Sequence, residues 1–188
     1  MKKTDFTNKY SSTHHGRFQK TLDFMEGLIT TSDRILDIGP INPLAKAMME
    51  NGYEVQNTPE NIDLDFNYDI VKEDNYDVVT AFEIFEHLVS PFPLLHSIKA
   101  NKLIASVPLK LWFANAYWNE NDPYDRHYHE FEPKQFDMLL NKAGWEIKKS
   151  EKWIGARSNK LGFRTILRRF TPRYYIVYCE RINPKADS

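Results

Sequence analysis

Apolar and polar positions alternate along the chain in two rhythms. Phe18, Leu22, Met25 and Ile29 stand at i, i+4, i+7 and i+11, which predicts a helix over 17–29. RILDI (34–38) is a short apolar run closed by Gly39-Pro40, the form of a buried strand. Asn42-Pro43 then offers an N-cap and an N1 proline, Leu44, Ala47 and Met48 follow at helical spacing, and Asn51-Gly52 ends that helix. YEVQNT (53–58), YDVVTAF (76–82) and KLIASVP (102–108) read as further strands, and FEIFEHL (82–88) reads as the opening of a helix. A helix over 133–143 carries Phe136, Leu139, Leu140 and Ala143 on one face and stops at Gly144. WEIKKSEKW (145–153) and YYIVYCER (174–181) are the last two strands.

Strands alternating with helices imply a parallel sheet covered on both faces. The final two strands lack a clear crossover helix and suit an antiparallel edge. The expectation is one α/β, doubly wound domain over 1–188. Within it, 1–30 is an N-terminal helical cap, 109–132 an aromatic lid insertion and 154–173 a basic insertion.

Composition changes this picture little. At 188 residues, with 41% apolar and 27% charged, the chain can bury a full core and is not of the disordered class. Charge is unevenly placed: residues 57–87 carry nine acids against Lys72, and 148–173 carry nine Lys or Arg against Glu151. The basic stretch 148–173 is a candidate site for an anionic partner such as nucleic acid. Cys179 is the sole cysteine, which excludes an intrachain disulfide and a cysteine-based zinc cluster. No apolar run approaches the length of a membrane span, and MKKTDFTNKYSS lacks the apolar core of a signal peptide. A soluble cytoplasmic protein follows as the expectation.

FEIFEHL carries the most chemistry. On a helix, Glu83, Glu86 and His87 at i, i+3, i+4 would share one face. Such a set can bind a metal, move a proton, or form the polar lip of a pocket. Carboxylate and imidazole ligands suit Mg²⁺, Mn²⁺, Fe²⁺ or Zn²⁺. Downstream, His127 and His129 would share one face of an extended segment, with Tyr128 on the other.

The motifs LDIG (36–39), YDVV (76–79), EHL (86–88), SVP (106–108), HEF (129–131) and AGW (143–145) follow one another in that order. In order and spacing the chain resembles the class I S-adenosylmethionine-dependent methyltransferases, particularly the small type 11 group. The resemblance implies a Rossmann-like, mostly parallel seven-stranded sheet with an antiparallel edge strand. It also implies S-adenosylmethionine as cofactor at Asp37, Gly39, Pro40, Asn57, Thr58, Asp65 and Phe82. Two departures stand out. The glycine-rich turn of the family is reduced to Gly39 followed by Pro40, which has no N–H. Asn57 replaces the acid that ordinarily holds the ribose hydroxyls.

Glu83, Glu86, His87 and HEFE (129–132) are also similar to the Glu-x-x-Glu-His and His-x-Phe-Glu pieces of small-RNA 2′-O-methyltransferases. That resemblance implies a divalent metal held by Glu83, Glu86, His87 and His129. It leaves His129, His87 and Glu83 as candidate catalytic residues. Together these readings predict a methyltransferase acting on a small or sugar-like hydroxyl compound. The alternatives are a metal-dependent RNA 2′-O-methyltransferase, and a non-catalytic scaffold with a degenerate cofactor site. Tyr10, His15 and Arg17 are candidates for closing over the cofactor, and Trp112, Phe113, Tyr117 and Trp118 for stacking on substrate.

Overall fold

The computed structural model of the chain describes residues 12–122, 125–155 and 163–182. Its strands are β1 (Arg34–Asp37), β2 (Glu54–Asn57), β3 (Val78–Phe82), β4 (Lys102–Pro108), β5 (Trp145–Trp153) and β6 (Tyr174–Arg181). They form one sheet in the order β2-β1-β3-β4-β6-β5. The first four are parallel, and β6 runs antiparallel between β4 and β5. The helices are α1 (Ser12–Met25), α2 (Pro43–Glu50), α3 (Pro91–Ser97), α4 (Pro133–Lys142) and α5 (Phe163–Arg168).

Successive residues of each central strand feed two different cores. Ile35, Val78, Ile104 and Ile176 meet Phe18, Leu22 and Met25 of α1 and Leu44 and Met48 of α2. Leu36, Val79, Leu103 and Val177 meet Leu94 and Leu95 of α3 and Phe136 and Leu140 of α4. Strands covered on both faces must be apolar throughout, which is why β1, β3 and β4 read as runs rather than alternations. Each such fully buried Leu, Ile or Phe contributes roughly 1.5–3 kcal/mol.

Helix α2 is capped as the sequence predicts: the Asn42 side-chain oxygen accepts the N–H groups of Leu44 and Ala45 at 2.9 and 3.1 Å. The first helix is displaced from 17–29, because Gly27 takes φ 77° and ends it at Met25. Among the described residues the sheet has six strands where the resemblance implied seven. Residues 58–77 form turns and one 3₁₀ turn over Asp69–Lys72. NTPENIDLDFNYD (57–69) is rich in Asn, Asp and Glu, which fit a pleated, half-buried surface poorly.

FEIFEHL is not the start of an α-helix. Glu83 adopts φ 57°, Phe85–His87 is a single 3₁₀ turn, and α3 begins only at Pro91. A residue before proline disfavours the α conformation, so a helix could not run through Ser90. Within 154–173, α5 is short, and Arg157 and Lys160 lie outside the described residues. Among the described residues no helix is long and apolar enough to cross a membrane.

Candidate active site

The carboxyl ends of β1, β2 and β3 meet in a turn whose polar atoms are largely paired with one another. Asp37 closes β1, and its carboxylate accepts the Thr80 hydroxyl at 2.6 Å and the Asn57 amide at 3.0 Å. The same Asn57 amide group donates to the Gly39 carbonyl at 3.2 Å. Two acceptors facing Nδ2 fix which way this amide points, and they leave Asn57 Oδ1 buried without a partner. Thr58 accepts the Gly39 N–H at 2.8 Å through its hydroxyl. Gly39 has φ 118°, and a Cβ there would stand 3.2 Å from the Ile84 side chain. The lone glycine of the turn is therefore fixed by conformation and by space.

Beyond β3 the chain reverses through Glu83. A left-handed non-glycine residue is uncommon, and here it turns the carboxylate away from the path of a helix. Glu83 Oε1 accepts the Ser106 hydroxyl at 2.9 Å, and Oε2 pairs with Arg17 of α1 at 3.0 Å. Arg17 also lies over the Tyr174 ring at 5.3 Å. Phe82 beside it packs into the core between the sheet and α1. Arg17 thus ties the N-terminal helix to the end of β3. Tyr10 and the side chain of His15, its sequence neighbours as candidates, are outside the described residues.

A second polar group forms where residues 117–122 and 125–130 fold against the 3₁₀ turn. The Glu86 carbonyl accepts two N–H groups, from Tyr128 at 2.8 Å and His129 at 3.2 Å. His87 Nδ1 faces the Arg126 carbonyl at 3.1 Å, and its Nε2 is 3.7 Å from Glu86 Oε1. His127 packs edge-on to His87 with ring centroids 5.0 Å apart, and its Nδ1 faces Glu130 at 3.2 Å. His129 goes elsewhere: its Nε2 faces the Val89 carbonyl at 3.1 Å and its ring stacks on Phe131.

The geometry therefore gathers Glu86, His87 and His127, with one potential ligand atom from each within 4.8 Å of the others. In that group His127 stands where the four-ligand set of the sequence reading had His129. Glu83 is engaged by Ser106 and Arg17 instead.

A cavity of about 640 Å³ opens beside these two groups. Gly39 and Pro40 form one wall, Asp63, Asp65 and Phe66 another, and Ile84, His87 and Tyr128 a third. Asp65 braces the rim, accepting the N–H groups of Val89 and Ser90, both at 2.9 Å. In size and mixed lining this cavity suits a small-molecule ligand.

Burial dominates the electrostatics. It pushes the Asp37 carboxyl up to about 7 against the hydrogen bonds from Thr80 and Asn57. It also raises Glu83, with Arg17 and the Ser106 hydroxyl opposing. Glu86 is raised well above the usual carboxylate range, by burial first and by the neighbouring Glu83 charge second. His87 is lowered, by burial and then by His127, so that it favours the neutral imidazole. A cleft bordered by groups shifted in this way is the setting in which acid–base chemistry is found.

Thr80, Ser106 and Arg17 did not figure as site residues on the sequence alone beyond Arg17's place in the cap. A signal for the first two was present. Each is a hydroxyl inside an otherwise apolar buried strand, and a buried hydroxyl needs a partner. Here the partners are Asp37 and Glu83.

Residues 10–150 match the methyltransferase-domain family, and the chain belongs to it. Solved structures agree with this at the level of fold. A S-adenosylmethionine-dependent methyltransferase from Mesorhizobium loti is 12% identical with a TM-score of 0.59, the match covering 90% of this chain and 98% of that one. One from Archaeoglobus fulgidus is 18% identical with a TM-score of 0.56, covering 88% and 92%. Magnesium protoporphyrin IX methyltransferase from Synechocystis PCC 6803, solved with S-adenosylhomocysteine, is 14% identical with a TM-score of 0.59, covering 94% and 90%. No curated protein matches the sequence. The chain is thus a methyltransferase, as the order of its motifs implied.

Proposed function

We propose that this methyltransferase takes its methyl group from S-adenosylmethionine and places it on the hydroxyl of a small or sugar-like compound. The observation that carries the reading is the cavity with Gly39 and Pro40 on one side and His87 on the other. The residues present fit the cofactor: Gly39 and Pro40 line the cavity, and the buried Asn57 Oδ1 is an unused acceptor at the end of β2. Asp37, Gly39, Pro40, Asn57 and Thr58 would hold it, with Asp65 shaping the cavity's edge, while Phe82 packs in the core. When bound, it supplies an electrophilic methyl group on a sulfonium.

The chain's own work is then alignment and charge. Arg17, Glu83 and Ser106 lock the end of β3 to α1 and β4, holding the cavity wall in register. Neutral His87, with Nδ1–H donated to the Arg126 carbonyl, presents Nε2 as a proton acceptor for a substrate hydroxyl.

In the described part of the basic stretch four cations are engaged within the protein, and Arg168 and Arg169 are exposed. Lys148 and Lys149 pair with Glu146 and Glu151, and Lys152 and Arg173 lie over Tyr175 and Tyr174. Calorimetric titration of S-adenosylhomocysteine tests the proposal, and micromolar binding is expected. An absence of heat up to millimolar ligand would refute it and favour the scaffold reading. Transfer of labelled methyl to RNA, and to no small hydroxyl compound, would refute the substrate class.

A further inference from the structure

We infer that Glu86, His87 and His127 form a site for one divalent transition-metal ion of the Zn²⁺ class. Two features beyond proximity point to a ligand. The first is Glu86, whose side chain is 1% exposed and whose Oε2 has no hydrogen-bond partner. A buried carboxylate oxygen left unpaired is costly, and a cation is the group that removes the cost. The second is the way the two imidazoles are held from behind. His87 Nδ1 is anchored on the Arg126 carbonyl and His127 Nδ1 on the Glu130 carboxylate. Each anchor selects the Nδ1–H tautomer and leaves Nε2 free. Histidines that bind metal are oriented in this manner, the far N–H given to a carbonyl or carboxylate.

The donor set is two imidazoles and one carboxylate, which suits Zn²⁺ with a further position open. His87 also lines the cavity beside Gly39, so that open position faces the space assigned to substrate. An ion there would draw a hydroxyl toward ionisation and fix its direction. The inference rests on the methyl-transfer reading and changes one role in it: with Nε2 on the ion, His87 is no longer the proton acceptor, and the ion would take over activation of the hydroxyl. It departs from the four-ligand expectation by excluding His129, which is occupied with Val89.

The test is ZnCl₂ titrated into the full chain, prepared without a histidine tag, followed by calorimetry and by elemental analysis after dialysis. Wild type is expected to retain one zinc per chain. Glu86→Gln and His127→Ala should each weaken binding by about 100-fold or more. Glu130→Gln, which removes an anchor and no ligand, should weaken it by about tenfold. His129→Ala should bind as wild type does.

Zinc should raise the melting temperature of wild type and not that of Glu86→Gln, whose near-isosteric side chain guards against simple misfolding. Circular dichroism checks that each variant is folded. A wild type that takes up no zinc overturns the inference. So does Glu86→Gln binding at full affinity, or His129→Ala losing the metal. S-adenosylhomocysteine titrated into the same samples separates the two readings. Zinc uptake without cofactor binding would sink only the methyl-donor proposal, and cofactor binding without zinc uptake would sink only this one.

Discussion

Two polar groups border the same cavity, and they are built on opposite principles. Around Asp37 nearly every donor meets an acceptor within the protein: Thr80 and Asn57 satisfy the carboxylate, and Thr58 and Asn57 satisfy both backbone groups of Gly39. Around Glu86 the pairing stops short. One carboxylate oxygen is unpartnered, and two imidazoles are anchored only on their outer nitrogens. The first arrangement makes a rigid rim, with Asn57 Oδ1 left over as an unpartnered acceptor. The second keeps unspent bonding capacity, which is what binding and proton transfer draw on.

The largest effect that would break this contrast comes from Asp37→Ala. It leaves the Thr80 hydroxyl and one N–H of the Asn57 amide buried and unsatisfied, and should cost about 3 kcal/mol in urea unfolding. A loss below about 1 kcal/mol would mean the rim is not rigid in the sense argued. Next comes pH. The native Asp37 carboxyl, raised from 3.8 to about 7, keeps its proton where the unfolded chain has released it. Through this group the native state binds more protons, and its contribution to stability is greatest at low pH and declines as pH rises from about 4 to 7. Between pH 5 and 8 the loss from this one group is on the order of 2–3 kcal/mol. Glu83 and Glu86 are raised as well and act in the same sense. Asp37→Asn should flatten part of that slope, and a melting temperature that rises steadily from pH 5 to 8 would contradict the assignment.

Glu86→Gln should move in the opposite direction from Asp37→Ala. In metal-free protein at pH 8 it removes a buried charge, and a stabilisation of about 1 kcal/mol is expected in thermal melts. If it destabilises instead, Glu86 already has all the partners it needs. The smallest effect is on affinity. Asn57→Ala should weaken S-adenosylhomocysteine binding by about three- to tenfold, the worth of one hydrogen bond. Unchanged binding would remove Asn57 from the cofactor site.

The sheet was legible because its signal is local. RILDI, YDVVTAF and KLIASVP are buried on both faces, and Asn42-Pro43 caps α2 without help from distant residues. The candidate site was legible only in its residue types. Spacing suggested that Glu83, Glu86 and His87 share a helical face, but a left-handed Glu83 breaks the period, and that depends on Ser106 and Arg17 from other elements. Likewise His127 and His129 would share a side only if their segment were extended. Two consecutive N–H groups, of Tyr128 and His129, converge on the Glu86 carbonyl, which twists the backbone. His127 is then sent toward Glu86 and His129 toward Val89. No local pattern announces a carbonyl 42 positions away (128 − 86). Asn57 shows the same limit. An acid there would face the Asp37 carboxylate 3.0 Å away, a distance at which an amide donor is favoured and a second negative charge is not.

The absence of a strand beyond β2 has a consequence for how these molecules meet one another. One flank of the sheet ends in an open rail of backbone donors and acceptors, able in principle to recruit a strand from a neighbouring copy. That rail is only four residues long, Glu54–Asn57, and its exposed side chains begin with a carboxylate. Shortness and charge are what blunt such an edge. Glu54→Val should therefore lower solubility at high concentration.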